Sequence, residues 1–380
     1  LKIQLNNQLQ VIDRELISLS DNSSGFSDKN FKKLAIAVDK EQHIWVAGNG
    51  ILLNYDTQSG EKLNLNSSHR KEIAIQQAQQ LMIDNTNILW LGTLNHGLYK
   101  MDLENNTFLN SNEFLNNSEQ QSPVFHEYPI LTMCEDSKGD IWLGTQGRGG
   151  LAILKGKEIE SSLSSKSNKV WDYNYLAKTN KQFDDEDFFE IKRLMNDSED
   201  NIWVGAKTGL SKISFKNNSE TFDIKKFNDI RDKKGNLIKN PVFAIEEDRM
   251  GNIWVGYWKK GIAKITFDKQ SETYTSVNYQ NELNNTNSLS NNFVRDILED
   301  SNGDIWVGTI RGLNKLKQDE TGNIAFTSYL NDPENKNSLS NNYVLDIFQA
   351  SDGHLYVGTF GGGLNQIEIS NNTLNFKQYT

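Results

Sequence analysis

Several residue types are scarce in this chain of 380 residues, which has one cysteine, four prolines and five histidines. The single cysteine, Cys134, excludes an internal disulfide, and a lone free cysteine usually behaves as a small apolar core side chain. No apolar run reaches the length that a membrane-spanning helix needs, so we predict no membrane insertion by this segment. The chain begins at Leu1 rather than at a methionine, and we expect it to be part of a longer protein.

Positive charge is also in deficit, with 40 basic against 50 acidic residues and a net charge of −10. This balance argues against a nucleic acid or an anionic membrane as the partner of the whole surface. The glycine-rich stretches 147–150 and 361–363 precede no helix that would complete a phosphate-binding loop. The turn Asp300–Asp304 and its copies lack the ligand set of a calcium-binding EF-hand loop, and we interpret them as hairpin turns. The sequence therefore predicts no metal, no cofactor and no catalytic residue.

A short phrase, Ile-Trp-Val-Gly-Thr or a near copy, recurs seven times along the chain. Successive copies start 45 to 61 residues apart. A period near 50 residues is typical of repeat architectures. The copies lie at Ile44–Gly48, Leu89–Thr93, Ile141–Thr145, Ile202–Ala206, Ile253–Tyr257, Ile305–Thr309 and Leu355–Thr359.

One repeat, from Val294 to Tyr329, contains four short strand signals separated by turns. Its first strand alternates apolar and polar residues, and Gly303 in the following turn can adopt positive φ. Four antiparallel strands joined by hairpins form one propeller blade. The sequence therefore predicts an all-β fold, a single seven-bladed β-propeller of four-stranded antiparallel blades.

We predict one propeller over residues 1–380, with 1–33 as a lead-in or closing strand. Long insertions are expected at 104–128 and 155–190, and either Leu16–Leu19 or the C-terminal strand Leu374–Tyr379 closes the ring. The blades are expected to begin near residues 34, 81, 130, 191, 242, 294 and 344.

An aromatic residue occupies the same position in every copy of the repeat. Blades pack face to face, and a large apolar side chain at constant depth would fill each seam between them. We therefore interpret these residues as structural rather than ligand-binding. They are Trp45, Trp90, Trp142, Trp203, Trp254, Trp306 and Tyr356.

The segments Ser288–Asn314 and Ser338–Asn365 carry Ser-Leu-Ser-Asn-Asn, then Ile-Trp-Val-Gly-Thr or Leu-Tyr-Val-Gly-Thr, then Gly-Leu-Asn. This pattern resembles the two-component regulator propeller repeat, and weaker copies extend the resemblance over about nine-tenths of the chain. The family forms the periplasmic sensor region of hybrid two-component systems in glycan-degrading Bacteroidetes. The resemblance implies a periplasmic or cell-surface location, and a second propeller or downstream signalling domains in the full-length protein.

The loops between second and third strands share one face of a propeller with the connections between blades. These loops hold five cations and no carboxylate, which favours an anionic ligand; alternatively, the cations pair with carboxylates of adjacent loops. The five cations are Arg148, Lys207, Lys259, Lys260 and Arg311. An extra aromatic residue, Trp258, suits stacking on a sugar face or packing at the rim. The predicted ligand-binding residues are Asn95, His96, Arg148, Lys207, Tyr257, Trp258, Lys259, Arg311 and Phe360.

We predict a ligand-binding sensor propeller that recognises an oligosaccharide, with an acidic glycan as the specific hypothesis. One alternative is a polysaccharide lyase, for which His96 or Tyr257 would act as the base and Arg148 as the positive group. Another is a protein–protein interaction scaffold of the cell envelope. The sequence contains no recognisable lyase motif, so the sensor remains the leading interpretation.

Overall fold

The structure of the protein is a computed structural model. It describes residues 2–5, 11–15, 35–41, 43–48, 51–55, 78–94, 97–103, 107–110, 128–147, 150–155, 173–175, 188–215, 222–318, 323–350, 353–370 and 373–379. No helix among these residues combines the length and the hydropathy that crossing a bilayer requires.

The described residues form 29 β-strands. In chain order they are β1 (Lys2–Leu5), β2 (Val11–Glu15), β3 (Ala35–Val38), β4 (Ile44–Gly48), β5 (Ile51–Tyr55), β6 (Ala78–Ile83), β7 (Ile88–Thr93), β8 (Leu98–Asp102), β9 (Thr107–Asn110), β10 (Ile130–Glu135), β11 (Ile141–Thr145), β12 (Leu151–Leu154), β13 (Tyr173–Tyr175), β14 (Ile191–Asn196), β15 (Ile202–Ala206), β16 (Gly209–Phe215), β17 (Phe222–Lys226), β18 (Val242–Glu247), β19 (Ile253–Tyr257), β20 (Ile262–Asp268), β21 (Thr273–Tyr279), β22 (Val294–Glu299), β23 (Ile305–Thr309), β24 (Gly312–Gln318), β25 (Ile324–Tyr329), β26 (Val344–Gln349), β27 (Leu355–Thr359), β28 (Gly363–Ser370) and β29 (Thr373–Tyr379).

The all-β propeller architecture is confirmed, but the prediction of seven four-stranded blades is wrong. The described residues form six four-stranded antiparallel blades, namely β6–β9, β10–β13, β14–β17, β18–β21, β22–β25 and β26–β29. Within the described part of the chain, the repeat copy at Ile44–Gly48 lies in a sheet of three strands, β3–β5, while β1 and β2 pair as a separate hairpin.

The error has a physical cause, because the repeated phrase marks second strands and says nothing about outermost ones. All five residues of β19 are buried, whereas most of β21 is exposed. A largely solvated strand needs no alternating apolar pattern, so its presence cannot be inferred from the recurring phrase. Both predicted insertions contain outermost strands, β9 and β13. Leu16–Leu19 lies outside the described residues, and β29 pairs with β28 as the outermost strand of its blade.

The chain divides into two compact units, Leu1–Ile191 and Lys192–Thr380. The first contains the β1–β2 hairpin, the three-stranded sheet and the blades β6–β9 and β10–β13. The second contains the four blades from β14 to β29, apart from the first residue of β14.

Within the second unit, each tryptophan of the repeat packs against the following blade. Trp254 lies in one buried cluster with Val294 and Ile297 of β22 and with Val307 of β23. Trp306 makes the corresponding cluster with residues of β26 and β27. The indole rings therefore fill the seams between successive blades, where burial of apolar area stabilises the fold.

The turn that enters each second strand also holds the tryptophan. In the β18–β19 turn, one carboxylate oxygen of Asp248 accepts from the backbone amides of Met250 (3.0 Å) and Asn252 (2.8 Å), and the other accepts from Trp254 Nε1 (2.8 Å). The same Asp–Trp hydrogen bond, of 2.7–2.9 Å, recurs at Asp39–Trp45, Asp84–Trp90, Asp136–Trp142, Asp197–Trp203 and Asp300–Trp306.

The last residue of an inner strand joins its blade to the turn of the preceding blade. A carboxylate oxygen of Glu299 accepts from the amide of Arg249 at 2.7 Å, and the side-chain oxygen of Gln349 accepts from the amide of Ser301 at 2.7 Å. Glu135 makes the equivalent contact in the first unit. Neighbouring blades are thus joined by polar contacts as well as by their apolar seams.

Candidate functional site

The loops between second and third strands begin beside the first residues of the inner strands. The amide of Trp258 donates to Pro241 O (2.9 Å), that of Ile310 to Phe293 O (3.2 Å) and that of Phe360 to Tyr343 O (2.8 Å). The loops that carry the predicted site residues therefore share one edge of each blade with the start of its inner strand.

Trp258 is the centre of an aromatic cluster at this edge. Its ring stacks on Phe243 of β18 with centroids 5.2 Å apart, and it meets the edge of Phe293 at 4.3 Å. All three side chains are only partly buried. Packing orders the indole without removing it from solvent, so rim packing and exposure to a ligand coexist here.

Three cations surround these rings. Lys192 Nζ lies 5.7 Å and Arg295 Cζ 5.1 Å from the centroid of Phe243, while Lys259 Nζ lies 5.7 Å from that of Phe293. Cations over aromatic faces at these distances are attracted by the ring quadrupole. We call this cluster the Trp258 rim; it comprises Lys192, Phe243, Trp258, Lys259, Phe293 and Arg295.

Other predicted site residues lie in the equivalent loops of other blades. Lys207 in the β15–β16 loop and Arg311 in the β23–β24 loop are exposed. Phe360 is 58% exposed, and its ring lies 5.5 Å from that of Tyr343. Of the predicted set, the structure brings Trp258 and Lys259 into one cluster.

Tyr257 does not belong to this surface, because it is only 1% exposed and packs in the core between blades. Burial raises the pKa of its hydroxyl far above the usual range. A side chain this buried does not line the loop edge, so we leave Tyr257 out of the proposed site. Asn95, His96 and Arg148 lie outside the described residues.

The alternative that loop cations pair with nearby carboxylates holds for Lys260. Its ammonium lies 3.2 Å from Asp232 in the connection between β17 and β18. Hydrogen bonds from Asn236 foremost, with a further one from Lys260, lower the pKa of Asp232 to about 2. This lysine is therefore neutralised within the protein.

Sequence reasoning missed Lys192 and Arg295, which occupy the second position of their inner strands. The signal was present, because aligning the inner strands places Lys192, Phe243 and Arg295 at one register. Both side chains lie on inner strands beside the loops, whereas the predicted set was drawn from the loops.

The residue after Arg295 on β22 is a buried carboxylate, Asp296. Asp296 is 3% exposed, accepts from the amide of Ile347 at 2.8 Å and lies 3.6 Å from Arg193 Nη2. Burial, followed by the nearby Asp346, raises the pKa of Asp296 well above its ordinary value. Asp296 thus joins its own inner strand, β22, to the inner strand of the following blade, β26.

Four segments, 125–147, 236–259, 288–311 and 338–361, match the sequence profile of the two component regulator propeller. The second of them includes Trp258 and Lys259. Each segment covers an inner strand and its second strand, the parts of a blade in which the repeat pattern is strongest.

Among similar proteins, Histidine kinase P4 of Formosa agariphila is 26% identical over 218 residues, which cover 57% of the chain and 14% of that protein. The extracellular domain of a proposed hybrid two component system from B. thetaiotaomicron is 21% identical, with a TM-score of 0.58, over 90% of the chain and 40% of that structure. PorZ, a surface component of the type-IX secretion system of Porphyromonas gingivalis, is 16% identical, with a TM-score of 0.60, over 87% of the chain and 45% of that structure. The chain spans less than half the length of each of these proteins.

Proposed function

Because the chain carries two-component regulator propeller repeats, we propose that it is an extracellular ligand-binding sensor module, located in the periplasm or at the cell surface. Its partners in the full-length protein are downstream signalling domains or a second propeller. The similarity to a histidine kinase and to the extracellular domain of a hybrid two component system supports this role.

The ligand is an oligosaccharide, and one with acidic groups. A single observation carries this proposal, namely a partly exposed indole, Trp258, ordered by two aromatic rings over which three cations lie. An aromatic face stacks on the apolar face of a sugar ring, and lysine and arginine bind carboxylate or sulfate groups.

The proposed binding residues are those of the Trp258 rim, joined by loop residues at the same edge of other blades. Lys207, Arg311 and Phe360 supply further charge and apolar surface. From the sequence alone we retain Asn95, His96 and Arg148 as proposed contributors. The chain has a net charge of −10, so a positively charged loop edge differs in sign from the protein as a whole. A local positive charge of this kind attracts anions.

Calorimetric titration with matched neutral and acidic oligosaccharides tests the proposal. We expect the acidic set to bind and Trp258→Ala to weaken binding about tenfold, equivalent to roughly 1.4 kcal/mol. Met250→Ala is the control, since Met250 is 81% exposed in the β18–β19 turn at the opposite edge of the same blade. Binding of the neutral set alone, or equal behaviour of the two variants, would contradict the proposal.

A further inference from the structure

The connection between β17 and β18 contains a small hairpin whose charge opposes that of the protein. Residues 231–239 close through a bridge between Arg231 and Leu237 and turn at Gly235, whose φ is 81°. The segment holds four cations and one carboxylate, in a chain with a net charge of −10. We call residues 231–239 the basic hairpin.

Two lysines of the basic hairpin are available to a ligand. Lys234 and Lys239 are exposed, and neither side chain makes a hydrogen bond or ion pair with the described part of the chain. Lys233 pairs with Glu282, and Arg231 donates to Gly235 O at 2.7 Å. The only carboxylate of the hairpin, Asp232, is buried and accepts from its own turn and from Lys260.

The basic hairpin adjoins the Trp258 rim directly. Asn240, the residue after the hairpin, donates from Nδ2 to Trp258 O at 2.9 Å, and the amide of Trp258 donates to Pro241 O at 2.9 Å. Lys260, two residues after Trp258, contacts Asp232 within the hairpin. Three polar contacts therefore join the basic hairpin, which carries the exposed Lys234 and Lys239, to the loop of Trp258, and rim and hairpin are adjacent parts of one surface.

We infer that this surface binds a polyanionic polysaccharide, a chain with carboxylate or sulfate groups on successive sugars, rather than a short oligosaccharide alone. The inference rests on the proposed function, since the sugar at Trp258 fixes one point of the chain. The following sugars then pass over Lys234 and Lys239, which carry the charge that a repeating anion recognises. A polyanion without sugar rings, such as an acidic protein segment, would use the lysines but gain nothing from the indole.

The test compares long polygalacturonate, trigalacturonate and poly-aspartate as probes in calorimetric titrations of the whole chain. Three variants accompany the wild type: Trp258→Ala, Lys234→Gln with Lys239→Gln, and Lys269→Gln with Lys317→Gln. The last pair removes the same charge from exposed lysines, one in the β20–β21 turn and one near the end of β24, at the opposite edge of their blades.

We expect the hairpin variant to weaken polygalacturonate binding roughly fivefold, as loss of two surface charge contacts implies. Trigalacturonate binding should be unchanged by this variant, and the charge-matched control should bind both probes like the wild type. Trp258→Ala should weaken both saccharides, and poly-aspartate should bind more weakly than polygalacturonate.

The failures of the two proposals are distinguishable. If Trp258→Ala weakens both saccharides but the hairpin variant and its control behave alike, the extension over the hairpin is wrong. If Trp258→Ala changes neither saccharide, the proposed function itself is wrong at this site. If poly-aspartate binds as tightly as polygalacturonate and ignores Trp258, the surface recognises acidic protein, and the inference is overturned.

Discussion

At the scale of single residues, the repeat tryptophan is held by two polar partners. Trp254 donates to Asp248, six residues earlier, and its ring lies 5.5 Å from the ammonium of Lys264 on the next strand. In the last repeat, Ala350 and Tyr356 stand where the others have aspartate and tryptophan. The last repeat therefore lacks both members of the Asp–Trp pair. This is expected if each residue depends on the other, because a buried carboxylate without its hydrogen-bond donor is costly.

Replacing Asp248 with alanine should destabilise the protein by about 2–3 kcal/mol, since two backbone amides and the indole N–H lose their acceptor in a buried turn. Asp268→Ala is the matched control, because Asp268 also bonds a backbone amide in a turn of the same blade but is exposed. Its cost should stay below about 1 kcal/mol. Urea unfolding followed by tryptophan fluorescence measures both, and equal losses would contradict the role of the Asp–Trp pair.

Burial raises the pKa of Glu246 from its ordinary 4.5 to about 7. The folded state then holds the proton more tightly than the unfolded state, so this group's contribution to stability is fully present below pH 4.5 and is lost as pH rises to about 7. Glu246→Gln should flatten the pH dependence of the free energy of unfolding by up to about 3 kcal/mol across this window.

Glu334→Gln, at an exposed side chain, serves as the control for that experiment. Urea unfolding at pH 4.5, 6 and 8 should show the glutamine variant at position 246 gaining stability over the wild type at pH 8. A pH profile that is the same for the wild type and both variants would show that Glu246 does not titrate in this range.

At the scale of elements, the glycine at the fourth position of most copies of the repeat phrase lets two blades approach. A Cβ at Gly256 would lie 2.5 Å from Val294 Cγ1 at the start of the next inner strand, and Gly205 and Val242 repeat the arrangement. The neighbour at both positions is a β-branched side chain. Gly358 differs, because the nearest atom to its Cβ position is 3.9 Å away.

Gly256→Ala should therefore cost roughly 1–3 kcal/mol through overpacking of the seam. Gly358→Ala, the same substitution at the same position of the repeat, should change the free energy of unfolding by less than about 0.5 kcal/mol. Thermal or urea unfolding compares the two variants. A Gly256→Ala protein as stable as the Gly358→Ala protein would show that the seam is looser than the structure indicates.

The sequence predicted the inner and second strands well, since buried strands carry the repeated phrase and strong apolar patterning. It failed on the outermost strands, and so on the number of four-stranded blades, because a strand such as β21 is mostly solvated.

For the candidate site, the loop position of Trp258 was predictable from its departure from the repeat. Its stacking on Phe243 and the two cations over that ring were not, because they depend on contacts between strands and loops distant in sequence.

At the scale of the whole molecule, regular blades act as a rigid support for variable loop edges. The seams use the same residue types in blade after blade, and the differences between blades lie in residues such as Trp258, Arg311 and the basic hairpin. Binding residues are often found on loops that a rigid scaffold positions. The proposed sensor role follows this division, with recognition at the loop edges of the blades.

The most direct test of the central proposal is the tryptophan fluorescence of the wild type and of Trp258→Phe on titration with an acidic oligosaccharide. The other tryptophans that the structure describes are buried and bonded to aspartate, so a sugar that stacks at the rim should change the emission of Trp258. We predict a saturable change in the wild type that is absent from Trp258→Phe. A change of the same size in both proteins would place the ligand elsewhere and contradict the proposal.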